Sequence, residues 1–126
     1  MKANELMIGD WVLCDGKPYQ IAEIGGMVCL DYEKELFAAL EDIKPIPLTP
    51  EILEKNGFTI DEISGLRFRE EKEVKGTIYE IYWDDGYLEI MSCTYKIGEY
   101  NKSEIQFVHQ LQHALRLCGI DADIAI

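Results

Sequence analysis

Two histidines stand four residues apart in the segment His109-Gln-Leu-Gln-His113. On a helix this spacing brings both imidazoles to one side, where they could share a metal ion. Zinc peptidases of the HExxH type carry a glutamate base directly after the first histidine, whereas Gln110 stands at that position here. Two ligands leave a tetrahedral site half built, and spacing names no third. Surface or boundary histidines are therefore expected, pointing away from the helix's apolar stripe. A small metal-dependent hydrolase is the enzymatic alternative. Carboxylates gather at Asp84 and Asp85, with Glu80 and Glu89 nearby. Such a group can act as acid and base or hold a hard cation, yet Asp85–Gly86 is also what a tight hairpin turn demands. Cys14, Cys29, Cys93 and Cys118 contain no CxxC pair and are expected as reduced, buried thiols of raised pKa and poor reactivity. There is no GxSxG, P-loop or dinucleotide fingerprint. No catalytic residue, metal ligand or cofactor is expected.

The aromatic side chains point elsewhere. Tyr82, Tyr87 and Tyr95 fall on or near the mixed face of one expected hairpin, and Trp11 and Tyr19 fall on another. Exposed tyrosines are frequent in contact surfaces, so these five, with His109 and Gln110, form the expected interaction surface. The competing reading is that the aromatics cover a second small core.

The elements that must position these residues fall into two groups. Residues 1–48 read as short strands with turn punctuation. Asp10–Cys14 and Pro18–Ile24 flank Asp15–Gly16, Met27–Tyr32 follows Gly25–Gly26, and Leu36–Leu40 is a further strand or a helical turn. Ile43–Pro47 is extended. The stretch from Ile8 to Ile24 looks like the opening of small SH3-like barrels, including those of the KOW type. In residues 49–126, Thr49 caps a short helix over Pro50–Asn56 that Gly57 ends, with a second turn around Asp61–Ile63. A β-meander follows. Its strands are Leu66–Glu70, Thr77–Trp83 and Tyr87–Tyr95. A two-residue loop at Asp85–Gly86 pairs Trp83 with Leu88, Ile81 with Ile90 and Tyr79 with Ser92 on an apolar face, and Tyr82 with Glu89 and Glu80 with Met91 on a wetter one. Ser103 and Gln106 complete a capping box for an amphipathic helix running to Cys118. Its stripe of Ile105, Phe107, Val108, Leu111, Leu115 and Cys118 is expected on the meander's apolar face. The fold class is thus α+β: an SH3-like small β-barrel, then an antiparallel meander packed by a C-terminal helix.

Composition bounds the function. The 126 residues suit one compact domain or two small subdomains, and 48% hydrophobic content is ordinary for a globular chain. The net charge is −12, which repels phosphate backbones and disfavours nucleic-acid binding. The acidity is distributed: residues 1–48 hold four basic and nine acidic side chains, residues 49–126 eight and fifteen. No apolar run reaches a membrane span, and no secretory signal opens the chain, so a cytoplasmic protein is expected.

Three stretches together carry a family resemblance: Asn4-Glu-Leu-Met-Ile-Gly-Asp-Trp-Val12, Ile43-Lys-Pro-Ile-Pro-Leu-Thr49 and Val108-His-Gln-Leu-Gln112. In this order they resemble the short hypothetical proteins encoded by prophages and mobile elements of Bacteroides-type gut bacteria. The resemblance spans nearly the whole chain, with residues 57–100 only loosely matched. The family pattern often has Asn where Asp10 stands, which reads as a minor departure. The resemblance implies a bacterial cytoplasmic setting and a phage origin, and it carries no catalytic residue. His109, Gln110 and Gln112 match its pattern, and burial does not explain His109 and Gln110. These two are expected to bind backbone groups where helix and barrel meet, with a partner-facing role as the alternative. The functional expectation is a non-enzymatic protein-interaction module with a protein partner, a homodimer among the possibilities. The alternatives are an acidic nucleic-acid mimic that binds a basic protein, and the hydrolase above.

Overall fold

The computed structural model describes residues 1, 3–60, 67–92, 95–101 and 104–126. The chain is α+β. The first strands are β1 (Trp11–Cys14), β2 (Lys17–Gln20), β3 (Glu23–Ile24), β4 (Val28–Asp31), β5 (Leu36–Ala38) and β6 (Ile43–Pro45). Asp15 and Gly16 both take positive φ, which closes the β1–β2 hairpin as expected. The anticipated return strand is broken at Ile21–Ala22. Ile21 turns back to pair with the Gly9–Asp10 backbone, while the Ala22 N–H donates to the Cys29 carbonyl. The strands therefore divide into two three-stranded antiparallel sheets, β2-β1-β6 and β3-β4-β5. The sheets share one apolar cluster, including Leu6, Val12, Ile21, Val28 and Ile43. Among the described residues they are not joined into a closed barrel.

The short helix α1 (Pro50–Lys55) is capped as the sequence predicts, with the Ile52 N–H donating to Thr49 Oγ1 at 3.3 Å. The turn anticipated at Asp61–Ile63 lies outside the described residues. A five-stranded antiparallel sheet follows, in the order β11-β10-β9-β8-β7. Its strands are β7 (Thr59–Ile60), β8 (Phe68–Val74), β9 (Thr77–Asp84), β10 (Tyr87–Ser92) and β11 (Tyr95–Tyr100). The β9–β10 register matches every expected pair, from Trp83 with Leu88 to Glu80 with Met91. The expected strand Tyr87–Tyr95 stops at Ser92, and Tyr95 begins the next strand.

The last helix, α2 (Val108–Leu117), is shorter than the expected Ser103–Cys118 element. Ser103 lies outside the described residues. The chain before Val108 is extended, because Pro47 and Phe107 form a β-bridge and the Leu48 N–H donates to the Gln106 carbonyl. Ile105 is buried in this extended segment, and its carbonyl accepts the Trp83 indole N–H at 2.9 Å. The stripe Val108, Leu111 and Leu115 packs with Ile81, Trp83, Leu88 and Ile90, as its periodicity requires. Ile46 and Leu48 join this larger cluster, and Trp11 and Leu13 pack against it. The C-terminal tail beyond α2 runs extended across the molecule. Its Ile124 carbonyl accepts the Trp11 indole N–H at 2.6 Å, and Ala125 exchanges backbone hydrogen bonds with the Asn56 amide. No helix among the described residues is long and apolar enough to cross a membrane.

Candidate functional site

Helix α2 has two packed sides, which single-face periodicity does not anticipate. Opposite the sheet it meets the segment before β1, and polar side chains fill that contact. Gln112 is 0% exposed. Its Oε1 accepts the Trp11 N–H at 2.9 Å, and its Nε2 donates to the carbonyls of Gly9 at 3.0 Å and Ala122 at 3.2 Å. One amide thus meets three backbone groups and ties the Gly9–Trp11 stretch to the chain at Ala122. This is the role expected of His109 and Gln110, one turn removed. Gln110 instead caps its own helix, its Oε1 accepting the N–H groups of Gln106 at 2.8 Å and Phe107 at 3.0 Å.

One turn further on, Asp10 is also 0% exposed. Its Oδ1 accepts from Arg116 Nη1 at 2.6 Å, and its Oδ2 lies 2.6 Å from His113 Nε2 and accepts the Met7 N–H at 2.8 Å. Gly9 makes this approach possible. It adopts φ +91°, and a Cβ there would stand 3.2 Å from an Arg116 guanidinium nitrogen. Burial works to raise the Asp10 pKa, but the hydrogen bonds from His113, Arg116 and the Met7 backbone outweigh it and hold the carboxyl below its ordinary value. This carboxylate, itself fully buried, carries the ion pair with Arg116, which an amide at position 10 could not supply.

His109 is 5% exposed, not a boundary residue. Its ring stacks on Phe107 at 6.1 Å and meets His113 edge-on at 5.6 Å. Its Nδ1 is buried with no hydrogen-bond partner, and burial lowers its pKa, leaving the ring neutral at pH 7. Among the described residues no group of three His, Cys, Asp or Glu side chains is arranged to hold a metal, and no hydroxyl or thiol hydrogen bonds to either imidazole. A surface hollow lined by Gly9, Gln20 and Ile120–Asp123 touches Arg116 but neither histidine. This cluster can fasten α2 to the N-terminal strands.

The remaining expected site residues are scattered. Trp11 is held by the tail, and Tyr19 packs on the N-terminal cluster. Tyr82 and Tyr87 share the outer face of the five-stranded sheet, the side away from α2. There the Arg67 guanidinium lies 4.3 Å over the Tyr82 ring, and the Tyr82 hydroxyl donates to Glu80 Oε2 at 2.8 Å. Arg69 bridges Glu71 and Glu80 at 3.5 and 3.2 Å. The Tyr87 hydroxyl lies 2.7 Å from Glu99 and 2.9 Å from Glu89; these bonds push its pKa well above the usual tyrosine value. Lys96 sits 3.3 Å from Glu89 and 3.4 Å from Glu99. With Glu73 and Asp84 added by their positions in β8 and β9, carboxylates outnumber cations on this face. Tyr95 pairs with Ser92, on the opposite side of the sheet from Tyr82 and Tyr87. Spacing gives no signal for the contacts that join Asp10 to Arg116 or Gln112 to Gly9 and Trp11, since these partners lie about a hundred residues apart.

No protein-family model matches the chain, and neither a curated protein nor a solved structure does.

Proposed function

We propose that this chain is a non-enzymatic protein-interaction module of phage or mobile-element origin, working in the bacterial cytoplasm. Its docking surface is the outer face of the five-stranded sheet. The observation that carries this reading is the arrangement of Tyr82 and Tyr87 within fixed networks of carboxylates. The rings offer apolar contact area already held in one rotamer, so little conformational entropy is lost on binding. The excess of carboxylates selects a basic partner surface and repels nucleic acid. Glu71 and Glu73, two residues apart on one strand, stand roughly 6.5–7 Å from each other. That distance resembles the step between successive phosphates and favours a second reading, an acidic mimic that occupies a nucleic-acid-binding protein. On this proposal residues 1–48 form an opened SH3-like barrel that braces a 49–126 recognition unit. The two three-stranded sheets around one apolar cluster support that description.

The test is affinity recovery from host extract with two baits, the native chain and a Glu71→Lys/Glu73→Lys variant. A partner retained by the native bait and lost from the variant supports the reading. Equal recovery on both baits sinks it. If the partner binds DNA or RNA, competition by that nucleic acid decides for the mimic.

A further inference from the structure

We infer that the open edge of β11 is a self-pairing surface, and that its occupant is a second copy of this chain. This goes beyond the docking face proposed above and does not depend on it. Strand β11 is the last in its sheet, with β10 on one side and no strand on the other among the described residues. An unpaired edge of this kind is a template for another strand.

The direction of its backbone groups follows from the hairpin before it. Asp85 and Gly86 form a two-residue loop with positive φ at both positions, so Asp84 and Tyr87 are a hydrogen-bonded pair. By alternation Leu88, Ile90 and Ser92 turn their backbone groups toward β11, where they meet Tyr100, Gly98 and Tyr95. Lys96 and Glu99, opposite Met91 and Glu89, therefore direct their N–H and C=O groups to the open edge. Three residues apart, they would ordinarily face opposite sides of the sheet. A bulge at Ile97 restores them to one side, as their 3.4 Å ion pair and shared contact with Glu89 require. Gly98 allows the bulge to lie against α2, since a Cβ there would meet Cys118 Sγ at 2.9 Å.

The strand Tyr-Lys-Ile-Gly-Glu-Tyr is then self-complementary about its centre. A two-fold axis between Ile97 and Gly98 sets Lys96 of one copy opposite Glu99 of the other, twice, and Tyr95 opposite Tyr100, twice. Each opposed pair already lies on one side of the sheet, as antiparallel pairing demands. Equal bulges face each other, so the register is kept. A lysine and a bulge usually discourage edge pairing; here the bulge aligns the lysine with a complementary carboxylate. Exposed apolar side chains accompany this charged centre. Tyr95 is 75% and Ile97 42% exposed, and Leu117, beside the Cys118 that touches the Ile97 carbonyl, is 79% exposed.

The experiment is sedimentation of the whole chain from about 1 μM to about 1 mM. The native chain is expected to move from 14.5 kDa toward twice that mass. Lys96→Glu alone and Glu99→Lys alone each set like charges opposite one another, and each should raise the dissociation constant roughly tenfold or more. An equimolar mixture of the two variants restores both opposite-charge pairs and should dimerise again. That rescue cannot come from misfolded variants. Glu99→Pro, which removes an edge-directed N–H and is tolerated on an edge strand, should keep the native circular dichroism and stay monomeric. A native chain that is monomeric throughout overturns the inference. So do a dimer indifferent to these changes, or a mixture that fails to reassociate. The Glu71→Lys/Glu73→Lys variant should dimerise normally, so the two proposals fail independently.

Discussion

Asp10 shows how much one carboxylate can be asked to hold. It is out of contact with water, yet accepts from a guanidinium, an imidazole and a backbone N–H. Replacing it with Asn preserves the shape and removes the charge that Arg116 and His113 were placed to meet. Asp10→Asn is expected to cost about 1–3 kcal/mol in urea unfolding at pH 7. The sign of the pH dependence follows from the lowered folded-state pKa. The carboxylate's contribution is complete above the unfolded value near 3.8 and is lost as pH falls through the lower folded value. The native chain should therefore lose stability steeply below about pH 4, and the Asn variant should show a shallower acid limb. His109 acts at higher pH. Its folded pKa lies below the ordinary 6.5, so the unfolded chain takes up a proton first and stability declines as pH drops from about 6.5. His109→Phe keeps the stacking with Phe107, removes the unpartnered Nδ1 and should abolish this upper phase. Thermal melts from pH 8 to 5 read the difference.

Helix α2 is the element both halves share. Its Val108, Leu111 and Leu115 side pins the five-stranded sheet, and its Gln112, His113 and Arg116 side pins the segment before β1. Leu111→Ala should cost about 2–5 kcal/mol. The loss should also appear equally at Trp11 and at Trp83, because the helix cannot loosen from one half alone. Fluorescence and far-UV circular dichroism of the variant should give coincident transitions. The elements differ in how far local chemistry revealed them. Asp15–Gly16, Asp85–Gly86 and the Thr49 cap are settled within a few residues, and each stands where composition predicted. The β9–β10 register followed from the same logic. The start of α2 was missed because Ser103 with Gln106 is a plausible cap, while the bridge from Pro47 to Phe107 fixes the chain in extended form. The tertiary contact wins over the local signal there. The polar side of α2 is hard to read for a related reason: periodicity reports one apolar face, and a second face buried through hydrogen bonds looks the same as an exposed one.

Across the whole molecule, acidity sets a background against which every contact forms. A net charge of −12 on a chain of this length repels itself in the compact state. Added salt screens that repulsion over about 10 Å at 0.1 M, so the melting temperature should rise between low salt and about 0.5 M sodium chloride. Binding of a basic partner to the outer sheet face should weaken over the same range. The opposite salt response of folding and docking distinguishes a diffuse charge from a localised site.

The extended tail beyond α2 also sets a schedule. A ribosome delivers the chain from its first residue, and domains emerging this way commonly fold as they appear. Here Trp11, Asn56 and Gln112 wait for Ile124, Ala125 and Ala122. The first hairpin and α1 are synthesised early but cannot be locked until residues 122–125 have cleared the exit tunnel. Chains arrested with Asp121 and with Ile126 just clear of the tunnel should differ, the shorter staying open to protease at its N-terminal strands and the longer closing.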